Sequence, residues 1–154
     1  MTTFAKFAAG WRRFIPASGV FAFLFFVGVH AVSPAYADGS VSSLGMGAGA
    51  RNAAEFERYQ AVVKQYNASG ERFRIDSTCR SACTMFLAIR NVCIVPSATL
   101  AFHAGHSPER TQQMVSTYNA ALRQYVTANG YVKTQDFHSI SGSDMIKRFG
   151  YWQC

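Results

Sequence analysis

The chain has 154 residues, a length that predicts one domain and excludes a large multidomain assembly. Only 15% of the residues are charged, 14% are aromatic and no long charge run occurs, which together exclude an intrinsically disordered protein. The net charge is +7, but from Asp38 onward 12 scattered basic residues stand against 8 acidic ones. This weak electrostatic footprint, without a nucleotide-binding motif, argues against nucleic acid as a partner.

Residues 1–37 have the features of a secretory signal peptide. Basic residues precede an apolar stretch over 14–32, and Ala35 and Ala37 provide the small side chains that signal peptidase requires. Cleavage after Ala37 would leave 38–154 as an exported protein, periplasmic or secreted. The alternative is that the apolar stretch is kept as a membrane anchor. After cleavage we expect no membrane association, because no later segment is long and apolar enough to span.

Export determines how the four cysteines are interpreted. They are Cys79, Cys83, Cys93 and Cys154. Four cysteines in a small exported domain predict up to two disulfides, for which three pairings exist. A bridge from Cys154 would hold the last residue in place. The competing interpretation is a zinc site made by three cysteines and His103, but the spacing lacks the Cys-x-x-Cys pair of such sites. We therefore expect no metal and no cofactor.

Hydrophobic periodicity and end signals predict the secondary structure after the signal peptide. Residues 38–51 are rich in Gly, Ser and Ala and indicate a flexible lead-in. The further elements are a helix from Asn52 to Gly70, a strand at 73–75, a turn at 77–80, a buried helix at 82–89, strands at 92–95 and 100–103, a long helix from Ser107 to Gly130 and a short helix at 143–149. Strands that alternate with helices predict an α/β fold.

Ser81 is the strongest candidate for a reactive residue. It stands where the buried helix begins, and a helix start favours the negative charge that develops beside an acyl-transfer nucleophile. His103 ends a later strand. If the two strands are neighbours, both side chains reach the same sheet edge, where the histidine can take the serine proton. The structural alternative is that Ser81 only caps the helix and that His103 is a hydrogen-bonded strand-end residue.

The segment from Arg72 to Gly105 resembles the central part of Clp-type serine proteases, within the Clp protease/crotonase superfamily. It is most similar to their small exported, cysteine-containing bacterial relatives. The similar pieces are Arg-Ile-Asp at 74–76, Cys-Arg-Ser-Ala-Cys-Thr at 79–84, Val-Cys-Ile-Val-Pro at 92–96 and Leu-Ala-Phe-His at 100–103. Residues 140–150 also resemble the closing helix of that family and the glycine that follows it.

The resemblance implies a Clp/crotonase-like α/β core of strands and crossover helices over 52–154, truncated at its N-terminal end. It implies Ser81 as the nucleophile, His103 as the general base and Asp136 as the acid that orients the histidine. His138 is the alternative at the acid's position, and a serine–histidine dyad is the third arrangement. The family's Gly-Gly pair, which helps to hold the oxyanion, is absent, and Gly49 or its neighbours are the substitutes.

Three hypotheses for function follow. The first is an exported serine hydrolase that cleaves peptide or other acyl substrates through a Ser81 acyl-enzyme. Because the family often assembles into rings, a homo-oligomer is compatible with this hypothesis. The second is a catalytically degenerate scaffold that serves as a binding or structural domain. The third is thiol chemistry at Cys79 and Cys83, which flank Ser81. A thiol count decides the third, because two disulfides leave no free thiol.

Overall fold

The computed structural model describes residues 38–154, so the predicted signal peptide at 1–37 lies outside the described residues. The strands are β1 Gly39–Ser40, β2 Phe73–Ile75, β3 Thr78–Arg80, β4 Val92–Ile94, β5 Thr99–Phe102, β6 His138–Ser141 and β7 Trp152–Gln153. The α-helices are α1 Val41–Leu44, α2 Ala53–Ser69, α3 Pro108–Ser116, α4 Ala120–Ala128 and α5 Gly142–Phe149. A 3-10 helix over Ser81–Ala88, which we call the Ser81 helix, follows β3 directly.

The strands form two sheets. One has the order β1-β2-β4-β7 with all pairs parallel, and the other has the order β3-β5-β6. In the second sheet, β3 is parallel to β5, and β5 is antiparallel to β6. Helices connect the parallel strands, so the α/β prediction is confirmed. Within 38–154 no helix is both long and apolar enough to cross a membrane.

The segment before α2 contains regular structure that the sequence analysis missed. β1 pairs with β2, and Ser40 caps α1 by accepting a hydrogen bond from the Ser43 N–H. Asp76 accepts hydrogen bonds from the N–H and the hydroxyl of Ser42, which ties α1 to the end of β2. These bonds keep the pKa of Asp76 low although its partial burial acts in the opposite direction. The prediction of a flexible lead-in over 38–51 is therefore wrong for its first part, because β1 and α1 are ordered by contacts with residues more than 30 positions away in the chain.

The predicted helix after Asn52 is confirmed as α2. The Asn52 side chain accepts a hydrogen bond from the Glu55 N–H at 2.9 Å, as an N-cap does. The Glu55 carboxylate bonds the N–H of Arg51 rather than that of Asn52, so the reciprocal half of the cap is shifted by one residue. Gly70 ends the helix in the left-handed conformation at φ 73°.

An aromatic contact chain fixes the Ser81 helix against α2 and β2. The ring of Phe86, in the Ser81 helix, lies 4.7 Å from that of Phe73 in β2 and 5.3 Å from that of Tyr59 in α2. Aromatic pairs of this kind contribute about 0.5–1.5 kcal/mol each beyond their buried area. Side chains 82–87 are all buried, as the apolar sequence predicts. The helix is therefore a rigid support for the residue at its start.

Two sequence predictions about element boundaries are wrong. The turn predicted at 77–80 is largely β3, because Thr78, Cys79 and Arg80 pair with β5. The single helix predicted from Ser107 to Gly130 is two helices, α3 and α4. The Thr117 hydroxyl bonds the Met114 carbonyl, and Asn119 starts α4 by accepting a hydrogen bond from the Leu122 N–H. A new N-cap within an otherwise continuous apolar pattern thus redirects the chain.

The four cysteines form two disulfides, Cys79–Cys83 and Cys93–Cys154, and none is left unpaired. The prediction of two disulfides is confirmed, including the bridge from Cys154. The zinc interpretation is wrong, because paired cysteines are not available as ligands and the described residues hold no group suited to a metal ion. Cys79 and Cys83 offer no free thiol in this state.

Candidate functional site

Ser81 lies at the junction between β3 and the Ser81 helix in a strained conformation. Its φ is +53°, and it is the one non-glycine residue with positive φ in the described part of the chain. The left-handed region costs an ordinary residue about 1–2 kcal/mol, so the surrounding structure must impose it. The Ser81 side chain is half-buried where the strand passes into the helix.

Two constraints hold the turn that contains Ser81. The Cys79–Cys83 disulfide joins the middle residue of β3 to the first turn of the Ser81 helix, with 5.2 Å between the two Cα atoms. The Thr84 hydroxyl lies 2.7 Å from the Ser81 carbonyl oxygen and 2.7 Å from the Tyr118 hydroxyl. Tyr118 is fully buried, and burial raises the pKa of its hydroxyl well above the usual value. This buried network fixes the backbone of Ser81 from the side of the core.

The structure brings Ser81 and His103 to the same edge of a sheet. In the parallel pair β3–β5, Arg80 stands opposite Ala101. Ser81 follows Arg80 directly, and His103 follows two residues after Ala101. Both residues therefore leave the sheet at its carboxyl edge on neighbouring strands, which lie about 4.8 Å apart in any sheet. The strand that presents Ser81 is β3, which the sequence analysis had interpreted as a turn.

The ring of His103 is buried without a polar partner. Only 7% of the residue is exposed, and neither Nδ1 nor Nε2 has a hydrogen-bond partner among the described residues. The Phe137 ring covers it with 4.5 Å between ring centres. Burial lowers the pKa of His103 and the nearby charge of His106 lowers it further, while the polar side chain of Gln135 acts in the opposite direction without reversing the shift. The imidazole is therefore neutral near pH 7, the form in which it can accept a proton.

Asp136 and His138, the two candidates for the orienting residue, make no hydrogen bond to this ring. Asp136 is exposed, and its carboxylate accepts no hydrogen bond from His103. The His138 ring stacks on Tyr131 at 4.4 Å and stands in β6 opposite Phe102. Gln135, next to Asp136, donates hydrogen bonds to the carbonyls of Ala104 and Gly105. The role of Asp136 therefore stays a prediction that would require a movement of this loop.

The glycine-rich segment before α2 runs against β3 and reaches Ser81. The Arg80 N–H donates to the Gly47 carbonyl at 2.9 Å. Gly49 has φ +86°, and a Cβ built on it would stand 2.8 Å from both the Ser81 Cβ and the Arg80 carbonyl oxygen. Only glycine allows this approach. The Tyr59 hydroxyl donates to the Met46 carbonyl at 2.9 Å and so anchors the segment to α2.

Ser81 also lines a cavity of about 350 Å³ between α2 and α3. Its wall combines apolar side chains with two arginines and His106: Phe56, Met114, Ala50, Ala53, Arg51 and Arg110. Phe56, Arg110 and Phe137 were not among the site residues predicted from the sequence. Their positions in helices and loops carry no catalytic motif, and only the packing of α2 and of α3 on the Ser81 helix brings the first two to Ser81.

Comparisons of the chain with models of protein families, with curated proteins and with solved structures found no match. The arrangement of the residues around Ser81 is therefore the evidence for a function.

Proposed function

We propose that the protein is a serine hydrolase that acts on peptide or other acyl bonds through Ser81, with His103 as its general base. The observation that carries the proposal is that a strained Ser81 and a buried His103 leave neighbouring strands at the same sheet edge, with no hydrogen bond joining them in this structure. A buried histidine ordinarily has its ring nitrogens hydrogen-bonded, because an unpaired buried polar group costs about 1–3 kcal/mol. The unpaired ring of His103 and the strained backbone of Ser81 both cost stability, and costs of this kind cluster at reactive sites.

The proposed reaction has two steps. The Ser81 oxygen attacks the acyl carbon while the His103 nitrogen takes the hydroxyl proton. His103 then gives that proton to the leaving group as the acyl bond breaks, which leaves the acyl group as an ester on Ser81. In the second step, a water molecule loses a proton to His103 and attacks the ester. The proton returns to the Ser81 oxygen, and the carboxylic acid is released.

The charge on the acyl oxygen needs donors beside Ser81. The N–H groups in the first turn of a helix have no partners within the helix. Ala82, the residue after Ser81, therefore offers its N–H at the start of the Ser81 helix. A donor of this kind typically supplies about 100- to 1,000-fold in rate. The close approach of Gly49 makes the neighbouring backbone of 49–51 the second candidate.

The Clp/crotonase-type assignment of the core is part of this proposal. It is supported by the parallel pairing of β2 with β4 and of β3 with β5, and by the position of Ser81 after a strand of the second sheet. The two disulfides are compatible with an exported protein, periplasmic or secreted.

Labelling with a fluorophosphonate probe tests the reactivity of Ser81. We expect the purified protein to be labelled at Ser81, and the Ser81→Ala variant not to be labelled. His103→Gln should lower the labelling rate by at least about 100-fold, the usual contribution of a general base. Ser77→Ala is the matched control, because Ser77 is also half-buried and precedes β3. Absence of labelling in the folded protein would refute the hydrolase proposal.

The second candidate function is a catalytically degenerate scaffold that binds a partner. The observation that favours it is the lack of a carboxylate on either nitrogen of His103. A triad histidine without its acid loses about four orders of magnitude in rate. Folded protein that resists the probe while it binds a peptide would support this candidate.

A further inference from the structure

The cavity beside Ser81 has the size and the wall of a site for one side chain. At about 350 Å³ it lies at the lower end of the range for small-ligand pockets. Phe56 and Met114 are buried residues that form its apolar side. Because Ser81 is part of the same wall, a group bound in the cavity lies beside this residue.

Arg110 is the charged residue of this cavity that has no ionic partner. Its guanidinium lies 4.2 Å from the centre of the Phe56 ring, an attractive cation–π arrangement. Stacking on a ring uses the face of the guanidinium and leaves its N–H groups at the edge available as donors. Within 38–154 the structure records no ion pair for Arg110.

Arg51, the second arginine in the wall, is neutralised. Its Nη2 lies 2.9 Å from the Glu55 carboxylate, and its side chain is 87% exposed. No aspartate or glutamate stands among the residues of the described chain that line the cavity. The net charge offered to a ligand therefore comes mainly from Arg110, which is held half-buried.

The backbone around Arg110 is fixed relative to the end of β5. The Ser107 side chain caps α3 by accepting the Arg110 N–H, and the Gly105 N–H donates to the Thr111 hydroxyl at 2.8 Å. A Cβ on Gly105 would stand 2.8 Å from the Cβ of Arg110. The segment that carries His103 out of the sheet and the turn that carries Arg110 are thus packed in contact.

We propose that Arg110 is the specificity-determining residue of this site and that it binds a carboxylate of the substrate, while Phe56 and Met114 contact the aliphatic stem. The assignment of this ligand as a substrate rests on the proposed function. The carboxylate can belong to an acidic side chain or to a free peptide C-terminus. The planar guanidinium of Arg110 can donate two N–H groups to either carboxylate. Such charge-assisted hydrogen bonds are stronger than those between neutral groups.

Calorimetric titration of the Ser81→Ala protein with three short peptides tests the proposal without turnover. The peptides are acetyl-Ala-Ala-Glu-amide, its neutral glutamine counterpart, and acetyl-Ala-Ala-Ala with a free carboxylate. We expect one of the two anionic peptides to bind at least about tenfold more tightly than the neutral peptide, and which one does so identifies the source of the carboxylate. Arg110→Gln, added to Ser81→Ala, should abolish this preference.

Two further variants make the result interpretable. Arg74→Gln removes the same charge from an exposed position on β2 and should keep the preference. Arg110→Lys keeps the charge without the planar fork, so we expect an intermediate preference from it, also if Arg110→Gln fails to fold. Equal binding of all three peptides, or a preference that survives the loss of Arg110, overturns the inference and leaves the labelling result intact. A preference that depends on Arg110 in a protein that resists the fluorophosphonate supports the carboxylate site and refutes the hydrolase.

Discussion

Replacing Gly49 by alanine should disturb Ser81 more than it disturbs the fold, and Gly45 provides the matched control. Both glycines have positive φ, +86° and +64°. A Cβ at 45 meets nothing within 4 Å, whereas a Cβ at 49 stands 2.8 Å from the Ser81 Cβ and from the Arg80 carbonyl oxygen. The two substitutions therefore share the backbone cost and differ in the close contact.

The magnitudes follow from that difference. The left-handed conformation costs alanine about 1–2 kcal/mol, and the reduced entropy of the unfolded chain offsets part of this. We expect Gly45→Ala to lower the free energy of unfolding by about 1 kcal/mol. Overpacking adds about 1–3 kcal/mol, so Gly49→Ala should lower it by about 3 kcal/mol.

Urea unfolding measures both values, and the rate of fluorophosphonate labelling measures the effect on Ser81. Gly49→Ala should slow the labelling by at least about tenfold, because the added methyl group displaces Ser81 or the backbone beside it. Gly45→Ala should leave the labelling rate unchanged. Equal losses of stability in the two variants, with equal labelling rates, would show that the 49–51 backbone does not approach Ser81 as described.

Two other predictions concern the disulfides and the histidine. The cysteines of the Cys93–Cys154 bridge are 61 residues apart, so replacing both by alanine should lower the free energy of unfolding in urea by about 4 kcal/mol. The cysteines of the Cys79–Cys83 bridge are 4 residues apart, so the same replacement there should lower it by about 2 kcal/mol. A larger loss from the Cys79–Cys83 bridge would contradict the loop-closure argument. The pKa of His103 lies below its ordinary value of 6.5, so the unfolded state takes up the proton first, and stability should fall as the pH drops below about 6.5. Fluorophosphonate labelling should persist below pH 6.5 and decline only near the lowered pKa of His103 in the folded protein. The free energy of unfolding of His103→Gln should depend less on pH than that of the unchanged protein. If both proteins show the same pH dependence, His103 does not titrate as described.

The sequence predicted those elements whose signals are local. Asn52 and Gly70 are cap residues, so the ends of α2 were visible in the chain. The strand β3 was not, because Thr78 to Arg80 resemble a turn and become a strand only by pairing with β5. The break between α3 and α4 was missed for a related reason, since Asn119 is an N-cap signal within a pattern that otherwise continues.

The candidate site divides in the same way. Ser81 and His103 were selected from local pattern and resemblance, and the parallel register of β3 and β5 then placed them at one edge. Arg110 and Phe56 were missed because their contact depends on how α2 and α3 each pack on the Ser81 helix, which no spacing in the chain encodes. Phe137 was missed because its cover over His103 is formed by a loop.

The backbone conformation of Ser81 has a consequence for engineering. Glycine adopts positive φ without steric penalty, so the substitution Ser81→Gly should raise the thermal stability of the protein. A laboratory selection for thermal stability alone would therefore favour Ser81→Gly. This substitution would remove the Ser81 hydroxyl although the protein became more stable.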